Sequence, residues 1–347
     1  MAGPDPEDLL HDHRLYDQYV DVVSAFEWLF TETTAMPDTV AHFERFPRLE
    51  GPDGNRVTPD FSLVFVDGTG LVGEIARVAL HEGSVDDLCH QIARYDSLTQ
   101  LPGQGGAPVD VGHVDVLLLV PLDIGTDVVR RVITERLLDA DHPYKPSHPP
   151  CIVQYVAQPD KYVFQRRPDS GNGELRDGER NPALGVWFAR GDFKPPAGGF
   201  AHVKAQRPFM NDPVAPLYLA CQLWTKVFPT MTADTTPVGD YKPLIMTVDE
   251  LAGEVNAMYG RVGKTALRNA MSILVASRCA EALGVDRWRV AWGDLAHRGG
   301  EEVGEVLARR TQKPPAKGPI RRLIEAYSDL GILDPAKAEP PQPGTLF

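Results

Sequence analysis

The sequence of 347 residues is 43% hydrophobic and 8% aromatic, which is ordinary for a soluble globular protein, and its length favours two domains over one. Its apolar runs all fall short of the roughly 18 residues of a membrane span, and its start lacks the basic and then apolar order of a signal peptide. Four scattered cysteines without a Cys-x-x-Cys pair argue against a zinc finger and a disulfide framework. We therefore expect a cytoplasmic protein with no membrane partner.

The formal net charge of −13 is unevenly distributed along the chain. Residues 1–145 contain 26 acidic and 10 basic side chains, a balance of −16, whereas residues 146–347 contain 22 acidic and 25 basic ones, a balance of +3. Contacts to nucleic-acid phosphates need Lys or Arg, so the second part is the better candidate for binding a nucleic-acid backbone. Cations bound in a carboxylate-rich site would neutralise part of the charge of the first part.

The first predicted element is a long amphipathic helix over residues 5–32, because apolar side chains recur there at three- and four-residue steps. Glu27 occupies a position on this stripe where an apolar residue is expected. Two interpretations stay open: Glu27 reaches solvent at the edge of the stripe, or it belongs to a functional site. Residues 36–55 follow as a connection punctuated by Pro and Gly, and within it we expect residues 41–46 to form a helical turn.

Two strands joined by a hairpin are predicted next. Residues 61–66 and 71–78 are rich in β-branched and apolar side chains, and the turn sequence Asp67-Gly68-Thr69-Gly70 separates them. A three-residue loop at 67–69 would fix the pairing of the two strands.

This register decides which side chains share a face. It pairs Ser62 with Glu74 and puts Asp60 opposite Ala76. Because side chains alternate between the faces of a sheet, Asp60, Glu74 and position 76 then point to the same side, which we expect to be open. A register change of two residues would keep that arrangement, whereas a change of one would lose it.

A second helix is predicted from Ser84, which is a good N-cap, to Leu98. Gln91 and Tyr95 lie four residues apart on it, so they share a face, which is directed towards the sheet. The near-continuous apolar run at 114–120 is typical of a central strand buried on both faces.

A further helix over 126–140 completes an α/β first domain, residues 1–145, with the element order αββαβα. Beyond it the strands either extend the same sheet or form a separate middle region, residues 146–243. These strands are predicted at 151–156, 161–165 and 185–189, before an apolar helix at 214–227.

The C-terminal region, residues 244–333, is predicted to be mainly helical. Thr247 and Glu250 have the spacing of a capping box at a helix start. The other predicted elements are helices at 264–274 and 320–330 and a strand at 287–292. The Pro-rich tail, 334–347, is expected to be disordered.

The shared strand face carries the candidate chemistry. The carboxylates of Asp60 and Glu74, with the backbone carbonyl of Ile75, form a set of hard oxygen ligands suited to Mg²⁺ or Mn²⁺. Such an ion can polarise a phosphodiester and lower the pKa of an attacking water. The alternative is that both carboxylates are ordinary polar residues of a strand.

Three motifs in this order resemble the PD-(D/E)XK nuclease superfamily, and more narrowly its RecB-like branch: Pro59-Asp60, Gly73-Glu74-Ile75-Ala76 and Gln91-x-x-x-Tyr95. The resemblance covers about residues 10–125. It implies a restriction-endonuclease-like core, with a mixed sheet flanked by helices, and metal-dependent hydrolysis of nucleic acid, DNA more than RNA. A role in restriction or anti-phage defence follows only by analogy.

The resemblance also assigns roles to particular residues. Gln91 and Tyr95 would support the site or hold substrate, and a first-helix glutamate, here Glu27, would approach the metal. The lysine of the family, which positions the attacking water, falls at Ala76.

The C-terminal region resembles a winged helix-turn-helix, which implies that its second helix presents basic side chains to a groove. The candidates are Arg261, Lys264 and Arg268. Many winged helices contact proteins instead, so a homodimer and a regulatory protein partner stay open as alternatives.

Ala76 leaves three interpretations open. The chain is a catalytically silent nuclease-like module that binds nucleic acid or regulates, or alanine stands where the natural chain has lysine, or another cation has taken the role. For the last, Arg77 alternates to the wrong face, and Arg94 depends on the rotation of its helix. We therefore expect this chain itself to be weak or inactive as a nuclease.

Overall fold

The computed structural model describes residues 5–33, 39–51, 54–76, 82–124, 136–137, 139, 141, 146–166, 180–189, 191, 193–211, 213–232, 243–260, 262–291 and 300–311. The chain divides into two compact units. One comprises Asp17–Asp212, and the other comprises Met1–Tyr16 together with Pro213–Phe347.

The first unit is built on a six-stranded mixed sheet. In spatial order its strands are β1 (Val40–Arg45), β4 (Phe61–Phe65), β5 (Gly70–Ile75), β8 (Val114–Pro121), β9 (Cys151–Ala157) and β10 (Tyr162–Arg166). The central strands β5, β8 and β9 run parallel, whereas β1–β4, β4–β5 and β9–β10 are antiparallel pairs. The α/β class and the mixed sheet are therefore confirmed, and the strands beyond residue 146 extend this sheet.

Short strands and helices surround the sheet. Two small ladders pair β2 (Leu49–Glu50) with β3 (Arg56–Val57), and β6 (Gln100–Pro102) with β7 (Pro108–Asp110). The helices of this unit are α1 (Pro6–Thr31, mostly within it), α2 (Glu82–Asp96), α3 (Pro182–Ala189) and α4 (Ala201–Gln206).

The two faces of the sheet bury different side chains. One face packs against α2 in an apolar cluster that includes Val72, Ala76, Leu88, Ile92 and Leu118. The other face packs in an aromatic cluster that includes Phe43, Phe61 and Phe164 from the strands and Phe26 and Trp187 from α1 and α3. Gly73 is required on that face, because a Cβ there would lie 2.0 Å from the ring of Phe61.

Three local predictions are wrong. Residues 41–46, expected as a helical turn, form the edge strand β1 up to Arg45, whose partly exposed side chains lack a clear alternation. Residues 185–189, expected as a strand, belong to α3, because a short apolar run does not distinguish a buried strand from a buried helix. Helix α2 begins at Glu82, so Ser84 lies inside it rather than at its cap.

The second unit combines helices with a small sheet. Its helices are α5 (Pro216–Gln222), which continues through a π-helical turn into α6 (Phe228–Thr232), then α7 (Val248–Tyr259), α8 (Lys264–Ala276) and α9 (Gly300–Thr311). Its strands are β11 (Leu244–Thr247), β12 (Ala280–Gly284) and β13 (Arg287–Val290), with β13 in the centre.

The start of α7 has the predicted capping box. The Thr247 hydroxyl accepts the backbone N–H of Glu250 at 3.3 Å, and the Glu250 carboxylate accepts the backbone N–H of Thr247 at 2.7 Å. The predicted order of two helices followed by a strand at 287–292 is confirmed as α7, α8 and β13, whereas α9 was not predicted. The predicted helix at 320–330 and the tail lie outside the described residues, as does nearly all of the predicted helix at 126–140.

Candidate active site

The β4–β5 hairpin places the two candidate carboxylates on one face. Phe61 pairs with Gly73 and Val64 with Gly70, so the next position of this register sets Asp60 opposite Glu74. The pairing differs by two residues from the predicted one, and the shared face is therefore kept. Asp60 is 2% exposed.

Backbone and helix donors hold both carboxylates. Asp60 Oδ2 accepts the backbone N–H of Ile75 at 2.8 Å. Glu74 accepts from α2: Gln91 Nε2 donates to its Oε1 at 3.1 Å, and the Tyr95 hydroxyl donates to its Oε2 at 3.0 Å. The same Gln91 Nε2 lies 2.6 Å from the Tyr95 oxygen, which accepts from it. The structure thus brings together the four residues that the sequence singled out at this face.

Tyr95 acts only as a neutral donor in this arrangement. Its side chain is completely buried. Burial, followed by the negative charge of Glu74 and more weakly that of Asp60, raises the pKa of the Tyr95 phenol well above its usual value. The proton therefore stays on Tyr95 and orients the carboxylate of Glu74.

The donor set suits a hard divalent cation with an incomplete protein shell. Within the described residues, no group of three or more His, Cys, Asp or Glu side chains could hold a metal. Mg²⁺ is commonly bound by one or two carboxylates and keeps waters or substrate oxygens as its other ligands. Asp60 and Glu74 fit that requirement, and Ile75, between Glu74 and Ala76 in sequence, is the predicted source of a carbonyl ligand.

Position 76 is not open, contrary to the expectation. Ala76 is 1% exposed and belongs to the apolar cluster under α2. Its backbone N–H donates to the carbonyl of Leu119 at 2.8 Å, which continues the parallel pairing of β5 with β8. The methyl group of Ala76 therefore contributes to the core, on the strand face that Glu74 also occupies.

Glu27 lies on the opposite side of the sheet from Glu74. Its carboxylate forms a close ion pair with Arg45 and lies 3.5 Å from the guanidinium of Arg207. Arg45 pairs with Phe61, whose side chain is on the aromatic face. Neither arginine is indicated by the sequence, because the pattern around Arg45 predicts a helical turn and Arg207 is far from Glu27 along the chain.

The candidate basic residues are in varied surroundings. Lys264 pairs with Asp249, and Arg268 makes two hydrogen bonds of 2.8 Å to Asp286. Arg94 donates to the carbonyl of Arg56 at 3.4 Å. Arg77 and Arg261 lie outside the described residues.

Comparisons of the chain with protein-family models, with curated proteins and with solved structures return no match. Of the helices that the structure describes, none combines the length and the apolar composition needed to cross a membrane.

Proposed function

We propose that the chain has the scaffold of a metal-dependent nuclease, which hydrolyses phosphodiesters of DNA in preference to RNA. The observation that carries the proposal is the convergence of Gln91 and Tyr95 on Glu74, on the face that Asp60 shares. The order and spacing of these residues resemble the PD-(D/E)XK superfamily, which supports the same conclusion. Restriction or anti-phage defence fits this activity by analogy only.

The residues of the site have two kinds of role, as metal ligands and as hydrogen-bond donors that orient those ligands. Asp60 and Glu74 would hold Mg²⁺ or Mn²⁺, with the Ile75 carbonyl as a third oxygen ligand. The chemistry that such an ion would supply is polarisation of the phosphodiester and acidification of a water. Tyr95 and Gln91 fix both oxygens of Glu74, and the Ile75 N–H fixes Asp60. Loss of such a supporting hydrogen bond commonly lowers the metal affinity about 10- to 100-fold.

Ala76 limits the activity that we expect of this chain. Alanine has no charge to stabilise the transition state or to orient the water, and loss of one such group commonly lowers the rate by about 10² to 10³. For a lysine to act at position 76, its stem would have to pack within the apolar cluster while its ammonium reaches Glu74. Ala76→Lys should therefore raise Mg²⁺-dependent cleavage at least 10²-fold.

The decisive experiment compares three variants on DNA and RNA with Mg²⁺ or Mn²⁺. Ala76→Lys should cleave, whereas Ala76→Met, which has a similar length without a charge, should not. Ala76→Lys combined with Glu74→Ala should also stay inactive. Thermal unfolding checks that all three variants fold. If folded Ala76→Lys cleaves neither substrate, the nuclease function is rejected for this chain.

The second candidate is a catalytically silent module that binds nucleic acid or a regulatory partner. It is favoured by the burial of Ala76, since the core accommodates alanine without leaving an exposed gap at this position. In this interpretation the second unit binds the target, with Lys264 and Arg268 of α8 as phosphate contacts, or forms a homodimer. Binding of DNA by this chain without cleavage by Ala76→Lys would support this candidate.

A further inference from the structure

A buried arginine, Arg45, connects α1 and the backbone at Arg207 to the sheet near the start of β4. Arg45 has a 3% exposed side chain and uses all three guanidinium nitrogens. Nε contacts Glu27, Nη1 donates to the carbonyl of Arg207 at 2.9 Å, and Nη2 donates to the hydroxyl of Ser24 at 2.9 Å. A buried guanidinium needs a compensating carboxylate, so the charge of Glu27 is required by Arg45.

Arg207 shares that carboxylate but is in a different environment. Its side chain is 55% exposed, and its Nη1 lies 3.5 Å from Glu27. By contrast Lys204, on the preceding helix, faces two carboxylates, Asp17 and Asp21, each at 2.7 Å. The Arg207 side chain is therefore more exposed to solvent than that of Lys204, which is 23% exposed.

The segment that carries Arg207 is attached to the chain around Asp60. At one end Arg45, the neighbour of Phe61 in the sheet, holds the Arg207 carbonyl. Further along, Asn211 Nδ2 donates to the carbonyl of Thr58 at 3.4 Å, two residues before Asp60. These two contacts fix the segment 207–211 beside the N-terminal end of β4, where the candidate carboxylates also lie.

We propose that Arg207 is a phosphate contact for the nucleic-acid strand that approaches Asp60 and Glu74. An exposed guanidinium forms bidentate hydrogen bonds with phosphate, and Arg45 fixes the backbone from which this one extends. The Arg207 guanidinium lies on the Glu27 side of the sheet, so a strand held here would cross the N-terminal end of β4 to bring the neighbouring phosphodiester to the two carboxylates. This inference rests on the proposed function, because it takes the substrate to be a nucleic acid.

The test measures binding in EDTA, so that it depends on neither metal nor cleavage. Fluorescence anisotropy of labelled single-stranded and duplex DNA is followed over a series of salt concentrations, with the full chain. Each phosphate contact contributes about 0.7 to 0.9 to the slope of log affinity against log salt. Arg207→Ala should lower the slope by that amount and weaken binding about five- to eightfold at about 0.1 M salt.

Two further variants make the result specific. Arg207→Lys keeps the charge and should keep the salt slope. Arg309→Ala is the matched control, since Arg309 is also exposed and pairs with a single carboxylate, Glu305, at 2.8 Å; its slope should equal that of the parent chain.

Three results would overturn the inference. If the parent chain binds DNA but Arg207→Ala has the same slope as Arg309→Ala, Arg207 only supports Glu27 and the proposed function is unaffected. If Arg207→Lys loses as much affinity as Arg207→Ala with an unchanged slope, the role of Arg207 is structural. If the parent chain binds neither DNA nor RNA at low salt, the proposed function fails and this inference fails with it.

Discussion

Replacing Tyr95 by phenylalanine tests whether the site is organised to hold a metal. The change removes one oxygen atom and keeps the ring, which is completely buried. That oxygen donates to Glu74 at 3.0 Å and accepts from Gln91 at 2.6 Å. Tyr95→Phe therefore leaves the framework of the core intact while it removes one of the donors that orient Glu74.

The expected loss of stability follows from these two hydrogen bonds. A hydrogen bond to a charged group contributes about 1.5 to 3 kcal/mol, and the donor of Gln91 loses an acceptor at the same time. Because no carbon atom is removed, no apolar cavity adds to this loss. We expect the free energy of unfolding to fall by about 2 to 3 kcal/mol, and the affinity for Mn²⁺ to fall about 10- to 100-fold as the orientation of Glu74 is lost.

A second buried tyrosine, Tyr162, provides the matched control. The Tyr162 hydroxyl donates to Asp21 at 2.8 Å, and its side chain is 5% exposed. Tyr162→Phe removes the same atom from a similar pairing with a carboxylate, so it should lower stability by a comparable amount. Its Mn²⁺ affinity should equal that of the parent chain, because Asp21 is not a candidate ligand.

Urea unfolding measures the stability of both variants, and titration calorimetry with Mn²⁺ measures their affinity. The Asp60→Ala/Glu74→Ala chain provides the baseline without the two carboxylates. A role of Tyr95 in metal binding is excluded if Tyr95→Phe binds Mn²⁺ as tightly as the parent chain, or if the two tyrosine variants lose the same amount of affinity. Equal binding by the parent chain and the double-alanine chain would remove the metal site altogether.

Two further predictions concern alkaline pH and the second unit. Burial is the largest cause that raises the pKa of Tyr95 and of Tyr162. Near pH 10 both phenols therefore ionise in the unfolded chain but not in the folded one. The contribution of these two phenols to stability is complete below that pH and falls above it. For each tyrosine the free energy of unfolding should fall by about 1 kcal/mol between about pH 10 and 11. In urea unfolding each Phe variant should lack the part of this pH dependence that its tyrosine causes, and an unchanged pH dependence would contradict the prediction. Lys264→Ala/Arg268→Ala should lower the salt slope of duplex DNA binding by nearly two, with Arg309→Ala unchanged; a slope equal to that of the parent chain would favour a protein-binding or dimerising role for α8.

The site could be predicted because its determinants are local. The strand alternation around Glu74 and the four-residue spacing of Gln91 and Tyr95 are both properties of short segments. The predicted register is off by two residues because Val66 resembles a strand residue in the sequence. In the structure Val66 is 64% exposed, and its N–H donates to the carbonyl of Thr39 at 2.9 Å. Gly68, with φ of 80°, makes the turn that this longer loop requires.

The parts that could not be predicted depend on long-range packing. Arg45 becomes a buried cation only because α1 brings Ser24 and Glu27 against it and a distant segment supplies the Arg207 carbonyl. No pattern in the neighbourhood of Arg45 indicates such partners. The burial of Ala76 escaped prediction for the same reason, since it depends on the packing of α2 over the end of β5.

If the proposed function is correct, binding and cleavage are separable at this site. The contacts that orient Glu74 come from Gln91 and Tyr95, and the contact that orients Asp60 comes from the Ile75 backbone, so none of them involves the side chain at position 76. An alanine there can therefore leave the candidate metal ligands in place while it removes the charge that the proposed cleavage would need. The inactivated nuclease and the silent module consequently share their expected metal and nucleic-acid binding. They differ in what a lysine at this position restores, so cleavage by Ala76→Lys distinguishes the two functions where binding measurements do not.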